Sequence, residues 1–324
     1  MKIGVVGAGA WGTALAQVAA ARDEEVVLWA LEPEVADAIN HSRENSLYLP
    51  GVALSPAIRA ENDLAALAPC DALLIVVPAQ HLRGVLRGLP RGDVPMLLCA
   101  KGIEAGSGLL VSQVAEQELP GAPIAVLSGP TFAHEVAAGL PTAVTLACAD
   151  ADLGQRLVNR IALPAFRPYL SDDVIGAEVG GAVKNVLAIA CGVAEGAGMG
   201  LNARASLISR GFAEMTRFGR ALGARAETLS GLSGLGDLVL TCSSTNSRNF
   251  SLGKGLGEGR SAADLLANRR TVAEGAFTAP VLRDVARRLK VEMPIVEGVC
   301  ALLEGAVDVA NMTEMLLARP LRSE

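Results

Sequence analysis

Aromatic residues are scarce: Phe, Trp and Tyr make up 3% of the 324 residues. Aliphatic side chains and alanine must therefore fill the core. Histidine occurs only at His41, His81 and His134, which leaves no histidine-rich metal site, and no metal is expected. The six cysteines, Cys70, Cys99, Cys148, Cys191, Cys242 and Cys300, form no C-x-x-C pair. They read as reduced core thiols, because free cysteine is among the most buried residue types. Cations are in deficit, 28 against 34 acidic residues for a net charge of −6. That argues against sequence-independent binding of nucleic acid, which rests on an excess of Lys and Arg. It leaves room for a small anionic ligand. Gly, Lys or Asp breaks each apolar run short of the ~18 residues of a membrane span, so no membrane insertion is expected. The first six residues read as a strand rather than a signal peptide, and a cytoplasmic location is the expectation.

What is abundant is glycine, 35 residues where average usage gives about 23, together with 51% hydrophobic residues. A chain of this length predicts about two domains. Strand-like runs occupy 2–6, 26–29, 72–77, 96–100, 124–127 and 143–147. Helical stretches such as 13–22, 81–88 and 109–118 alternate with them, the pattern of a parallel sheet with helical crossovers. After about Ser171 the pattern turns helical, with candidate helices at 174–195, 203–222, 262–266, 278–289 and 295–303. The glycine-rich stretch 252–259 reads as the most mobile loop.

Between the first strand and the first helix lies Gly7-Ala8-Gly9-Ala10-Trp11-Gly12. Gly7 suits a tight turn, Gly9 lets backbone approach a pyrophosphate, and Gly12 lets helix pack close on strand. The helix N-terminus offers unpaired N–H groups to phosphate oxygens. In this context the G-x-G-x-x-G spacing predicts dinucleotide binding. The expected fold class is α/β: an N-terminal Rossmann-like doubly wound sheet over 1–180, then an all-α C-terminal substrate and catalytic domain over 181–324. An acid is expected at the end of the second strand. Ala30 stands there, and Glu32 comes slightly late. Leu31 cannot cradle a 2′-phosphate and Glu32 would repel one, so NAD(H) is favoured over NADP(H). The alternative makes Glu32 a solvated loop acid.

Lys184 lies in an apolar helix between Gly180 and Ala188, a small-residue face that another element can approach. Burial disfavours the charged form of lysine and suits it to acid–base work; the alternative is a snorkelling surface lysine. Lys101 follows a strand directly and would emerge at a carboxyl end, where ligands bind in open α/β sheets, or it is an ordinary loop lysine. Ser128-Gly129-Pro130-Thr131 also follows a strand; Thr131 either faces a ligand or caps a helix. Asp237 can pair with a lysine or cap a helix. Thr241 follows, and Ser247, Arg248 and Asn249 offer donors suited to phosphate.

Taken together these segments resemble the bacterial NAD(P)-dependent glycerol-3-phosphate dehydrogenases. The carrying blocks are Gly7 to Leu15, Asn45-x-x-Tyr48-Leu49-Pro50-Gly51, Ala100-Lys101-Gly102-Ile103-Glu104, Ser128 to Ala133, Gly180 to Asn185, Asn202-Ala203-Arg204-Ala205, Gly234 to Leu238, Asn246 to Asn249, Val272 to Gly275 and Glu292 to Ile295. They run in family order over nearly the whole chain. The resemblance implies hydride transfer between sn-glycerol 3-phosphate and dihydroxyacetone phosphate, a supply of glycerol 3-phosphate for phospholipid synthesis, and a homodimer. It implies Lys184 as the proton-transferring group, Lys101 near both substrate and cofactor, and Asp237 orienting the lysine. Gly129, Thr131, Asp237, Ser247, Arg248 and Asn249 match substrate positions, and Lys101, Lys184 and Thr241 are expected to line the same site. Trp11, Tyr48, Ala133, Arg248, Val272 and Glu274 match cofactor positions; with Lys101, the glycine-turn residues Gly7, Gly9, Ala10 and Gly12, and Leu31 after the second strand, they make up the expected cofactor site. The family often has Arg or His at Leu31, and this departure bears on the NADP(H) contact. A β-hydroxyacid dehydrogenase shares the glycine turn and a helical second half; the Ser247-Arg248-Asn249 block and Lys101 favour the phosphate substrate. A non-catalytic dinucleotide-binding module is the other alternative.

Overall fold

The computed structural model describes residues 1–90, 94–267 and 273–320. The chain divides into two compact units. One comprises Met1–Lys101 and Leu109–Glu178, the other Gly102–Gly108 and Val179–Glu324.

The first unit is built on eight strands: β1 (Ile3–Val6), β2 (Val26–Trp29), β3 (Ile58–Glu61), β4 (Ala72–Ile75), β5 (Met96–Leu98), β6 (Ile124–Ser128), β7 (Thr142–Cys148) and β8 (Phe166–Ser171). Their order across the sheet is β3-β2-β1-β4-β5-β6-β7-β8. All pairs are parallel except β6 with β7. The first six strands follow the doubly wound order whose direction of winding reverses between β1 and β4, the place where such sheets bind ligands.

Strand alternation feeds two cores. Ile3, Val5, Val26, Leu28 and Leu74 join one buried cluster. Val6, Val27, Trp29, Leu73 and Ile75 join the other. Both faces are covered, which is why these strands read as unbroken apolar runs rather than alternating ones. Two strands escape the sequence pattern. β3 (Ile-Arg-Ala-Glu) is half exposed and charged, and β8 carries Pro168. Both are edge strands, the places in a sheet that tolerate charge and proline.

The second unit is helical among its described residues. Its long helix Val174–Gly196 starts in the first unit, so the boundary at Glu178 falls inside one helix. By length and a mean hydropathy of 1.5 over its most apolar window this helix could cross a membrane, although Gly180, Gly181 and Lys184 interrupt its apolar run. Yet 89% of that window is buried in the protein's own packing, as in a core helix.

The stretch 252–259 is not a mobile loop. Most of it belongs to the helix Arg248–Gly257. A Cβ at Gly253 would strike the Ile189 carbonyl, one at Gly257 the Val193 carbonyl, and one at Gly192 the Phe250 carbonyl. These glycines let two helix backbones touch, so glycine here marks close packing rather than freedom. All six cysteines are free and buried.

Candidate active site

In the first unit the turn after β1 is shaped by its glycines. Gly7 has φ +114°, open to glycine and strained for other residues. Its N–H donates to the Trp29 carbonyl at 3.0 Å. A Cβ on Gly12 would strike the Gly7 carbonyl, whereas one on Gly9 would meet nothing within 4 Å. The helix Ala10–Ala20 then begins at Gly9 with no side-chain cap and no acid in its first turn. Its first N–H groups are left for a ligand, and the macrodipole there favours an anion. Trp11, in that same turn, keeps a buried indole N–H without a partner. The open space over Gly9 and the bare helix terminus fit a dinucleotide pyrophosphate. Gly7, Gly9, Ala10, Trp11 and Gly12 are thus brought to one place. Ala133 opens the short helix Ala133–Ala137 and packs on the same core as Ala10 and Trp11.

Asn45, a residue given no role by sequence reasoning, braces this turn. It is 1% exposed. Its Nδ2 donates to the Ala8 carbonyl and to Thr13 Oγ1, both at 2.8 Å. Its Oδ1 accepts from the Tyr48 N–H at 3.1 Å. The Tyr48 hydroxyl in turn donates to Glu32 Oε1 at 2.8 Å, so Glu32 is held rather than freely solvated. Leu31 beside it is 71% exposed.

Lys101 lies just beyond β5 and is half-buried. Its Nζ donates to the Gly129 carbonyl at 3.0 Å. Thr131 Oγ1 donates to the same oxygen at 3.3 Å. Gly129 has φ +150°, and a Cβ there would press on Val144. Thr131 is no helix cap, since Phe132 holds that position. The three residues form one polar cluster at the carboxyl ends of β5 and β6.

In the second unit Lys184 sits in the long apolar helix and is 6% exposed. Its Nζ donates to Asp237 Oδ1 at 2.5 Å and to Thr241 Oγ1 at 3.0 Å. Thr241 Oγ1 also donates to the Asp237 carbonyl at 2.6 Å. Asp237 is fully buried, so each charge compensates the other. The approach is set by Gly180, one turn before the lysine: a Cβ there would strike the Ser233 carbonyl. Residues Leu232–Gly236 form a π-helical turn that delivers Asp237; such turns are frequent at functional sites.

The neighbouring Asn185 is likewise buried. Its Oδ1 accepts from Asn249 Nδ2 at 3.0 Å. Asn249 Oδ1 accepts from the Gly275 N–H at 2.8 Å, one residue into the helix Glu274–Arg288. Asn249 and Glu274 are thereby tied to the lysine helix. Ser247 caps the helix Arg248–Gly257, its Oγ accepting from the Phe250 N–H at 3.2 Å. Arg248 is the first residue of that helix and is exposed. Val272 lies outside the described residues. Asn45 and Asn185 both stand inside the sequence blocks that carried the resemblance, which was the available signal for them.

Two family models match. One, described as the NAD-dependent glycerol-3-phosphate dehydrogenase N-terminus, covers residues 2–154. The other, the C-terminus of the same family, covers residues 173–314. The chain belongs to the NAD-dependent glycerol-3-phosphate dehydrogenase family. A relative from Novosphingobium aromaticivorans, named glycerol-3-phosphate dehydrogenase [NAD(P)+], is 64% identical over all of this chain and 98% of its own length. The crystal structure of the glycerol-3-phosphate dehydrogenase of Coxiella burnetii superposes with a TM-score of 0.94 at 39% identity, covering 98% of this chain and 99% of that one. A yeast glycerol-3-phosphate dehydrogenase structure gives 0.83 at 28% identity, with 98% and 99% covered. The fold reaches further: a D-mandelate dehydrogenase shares it at 14% identity and a TM-score of 0.66, covering 98% of this chain and 100% of that one.

Proposed function

We propose that this protein interconverts dihydroxyacetone phosphate and sn-glycerol 3-phosphate with NAD(H) or NADP(H). Residues 1–180 serve the dinucleotide and 181–324 the substrate chemistry. The observation that carries this reading is the buried Lys184 ammonium, bonded to Asp237 and Thr241 in an otherwise apolar helix. A nicotinamide, when bound, supplies or accepts hydride.

In the reducing direction the carbonyl oxygen of the substrate gains negative charge, and Lys184 Nζ gives it a proton. In oxidation the same nitrogen takes the proton back. Asp237 and Thr241 fix the position of that nitrogen. Lys101 lends positive charge to the substrate and is held by the Gly129 carbonyl. Arg248 binds the phosphate through its planar fork of donors. Asn249, anchored by Asn185, sets the helix start that presents Arg248. Holding the phosphate keeps the reacting carbon in line, and such anchoring is worth several kcal/mol of barrier. The product is the backbone of phospholipids, which supports a supply role. A homodimer in the cytoplasm belongs to the same reading.

Consumption of NADH or NADPH on addition of dihydroxyacetone phosphate tests the activity. No turnover with either nucleotide would contradict it.

A further inference from the structure

NAD(H) and NADP(H) differ only in the phosphate on the 2′-oxygen of the adenosine ribose. The carboxyl end of β2 faces that difference, because the second strand of such a sheet carries the group that meets the ribose. Residues 26–42 contain Glu32, Glu34 and Asp37 and neither Lys nor Arg. The backbone at this exit is pinned: the Ala30 N–H donates to the Glu61 carbonyl at 2.8 Å, and the Ala30 carbonyl accepts from Asn62 Nδ2 at 2.8 Å. Glu32 Oε1 accepts the Tyr48 hydroxyl, which leaves Oε2 with acceptor capacity for a further hydroxyl. Nearby cations are engaged elsewhere. Arg43 donates to the Ile58 carbonyl at 2.9 Å, and Arg59 pairs with Glu61 and Glu25.

Tyr48 does not reach Glu32 by chance of rotamer alone. Its N–H is held by Asn45, and Asn45 braces the glycine turn. Tyr48 therefore links the glycine turn to the Glu32 carboxylate: its backbone is bonded to Asn45 at one end and its hydroxyl to Glu32 at the other.

We propose that Tyr48 is a positioning residue for cofactor choice, fixing Glu32 so that its carboxylate accepts from the 2′-hydroxyl of NADH and excludes the 2′-phosphate of NADPH. This rests on the dehydrogenase reading above and deepens it. Like charges placed together at a binding surface are the usual device for rejecting a wrong partner.

Direct titration with NADH and with NADPH, followed by nucleotide fluorescence, tests it without turnover. The wild type binds NADH about tenfold or more tightly than NADPH, the scale of one unfavourable charge contact. Glu32→Gln brings the two dissociation constants together, chiefly by tightening NADPH. Tyr48→Phe lowers the ratio about threefold in the wild-type background and leaves it unmoved in the Glu32→Gln background, the signature of action through a partner. Melting temperatures confirm that each variant is folded. Equal or tighter NADPH binding by the wild type overturns the proposal. So does a Tyr48→Phe effect that scales both nucleotides equally, since a merely structural tyrosine would do that. Binding of neither nucleotide overturns the dehydrogenase reading itself, and this one with it.

Discussion

Lys184 illustrates how one residue is both a chemical and a structural commitment. With the role proposed above, replacing it with alanine removes the proton donor, and turnover falls by about 10²-fold or more. The same change strands the buried Asp237 carboxylate, which costs about 3–5 kcal/mol. The double variant Lys184→Ala/Asp237→Asn separates the two effects: the melting temperature recovers, and kcat does not. Recovery of kcat would remove Lys184 from the chemistry. Arg248 behaves differently because it is exposed at a helix start. Arg248→Ala raises KM for dihydroxyacetone phosphate strongly, with stability within about 0.5 kcal/mol of wild type, as for other surface substitutions. An unchanged KM would take Arg248 out of the phosphate site. At this scale the sequence was legible wherever a residue type is rare in its setting. A lysine in an apolar helix announces itself, and the structure finds Lys184 buried and paired with Asp237. Asn45 and Asn185 were not legible, because an asparagine that braces backbone looks like any loop or helix asparagine until its partners from distant segments are seen.

Glycines decide the elements. Gly9 and Gly12 share one motif yet predict opposite outcomes. A methyl at position 9 meets open space, so Gly9→Ala keeps the melting temperature and weakens nucleotide binding. A methyl at position 12 meets the Gly7 carbonyl, so Gly12→Ala destabilises the unit itself. Thermal melts and nucleotide titration of the two variants check this pair, and a stable, tightly binding Gly12→Ala protein would contradict it. Gly253 belongs to the second kind. Gly253→Val forces apart the helices Val174–Gly196 and Arg248–Gly257, at about 1–3 kcal/mol or more for overpacking. The expectation of a loop at 252–259 failed on this point. Glycine lowers helix propensity by about 1 kcal/mol, but propensity yields to tertiary packing when backbone contact requires the missing Cβ. The inner strands were read closely because both faces are apolar. β3 and β8 were missed because an edge strand shows neither an apolar run nor clean alternation.

At the scale of the whole chain, two buried carboxyls govern the response to pH. Burial pushes Glu178 up to about 7 against a usual 4.5, despite its bonds from Ser112. Burial does the same to Glu214, which accepts from the Ile295 and Val296 N–H groups. Between about 4.5 and about 7 the folded chain holds more protons at these sites than the unfolded chain. Their contribution to stability is therefore full below the unfolded value and declines as pH rises towards 7. Urea unfolding at pH 5, 6 and 7.5 reads this slope, and Glu178→Gln makes it shallower. An unaltered slope in that variant would contradict the assignment.

The two-part organisation is shared with other dehydrogenases, and the match of both halves to one family narrows the reaction to that of glycerol 3-phosphate. Its most direct test is NADH oxidation on addition of dihydroxyacetone phosphate, run on wild type and on Lys184→Ala in parallel. Rapid absorbance loss is expected in the first and about a hundredfold slower loss in the second. Equal rates in the two, or no loss in the wild type with either NADH or NADPH, would contradict the proposed reaction.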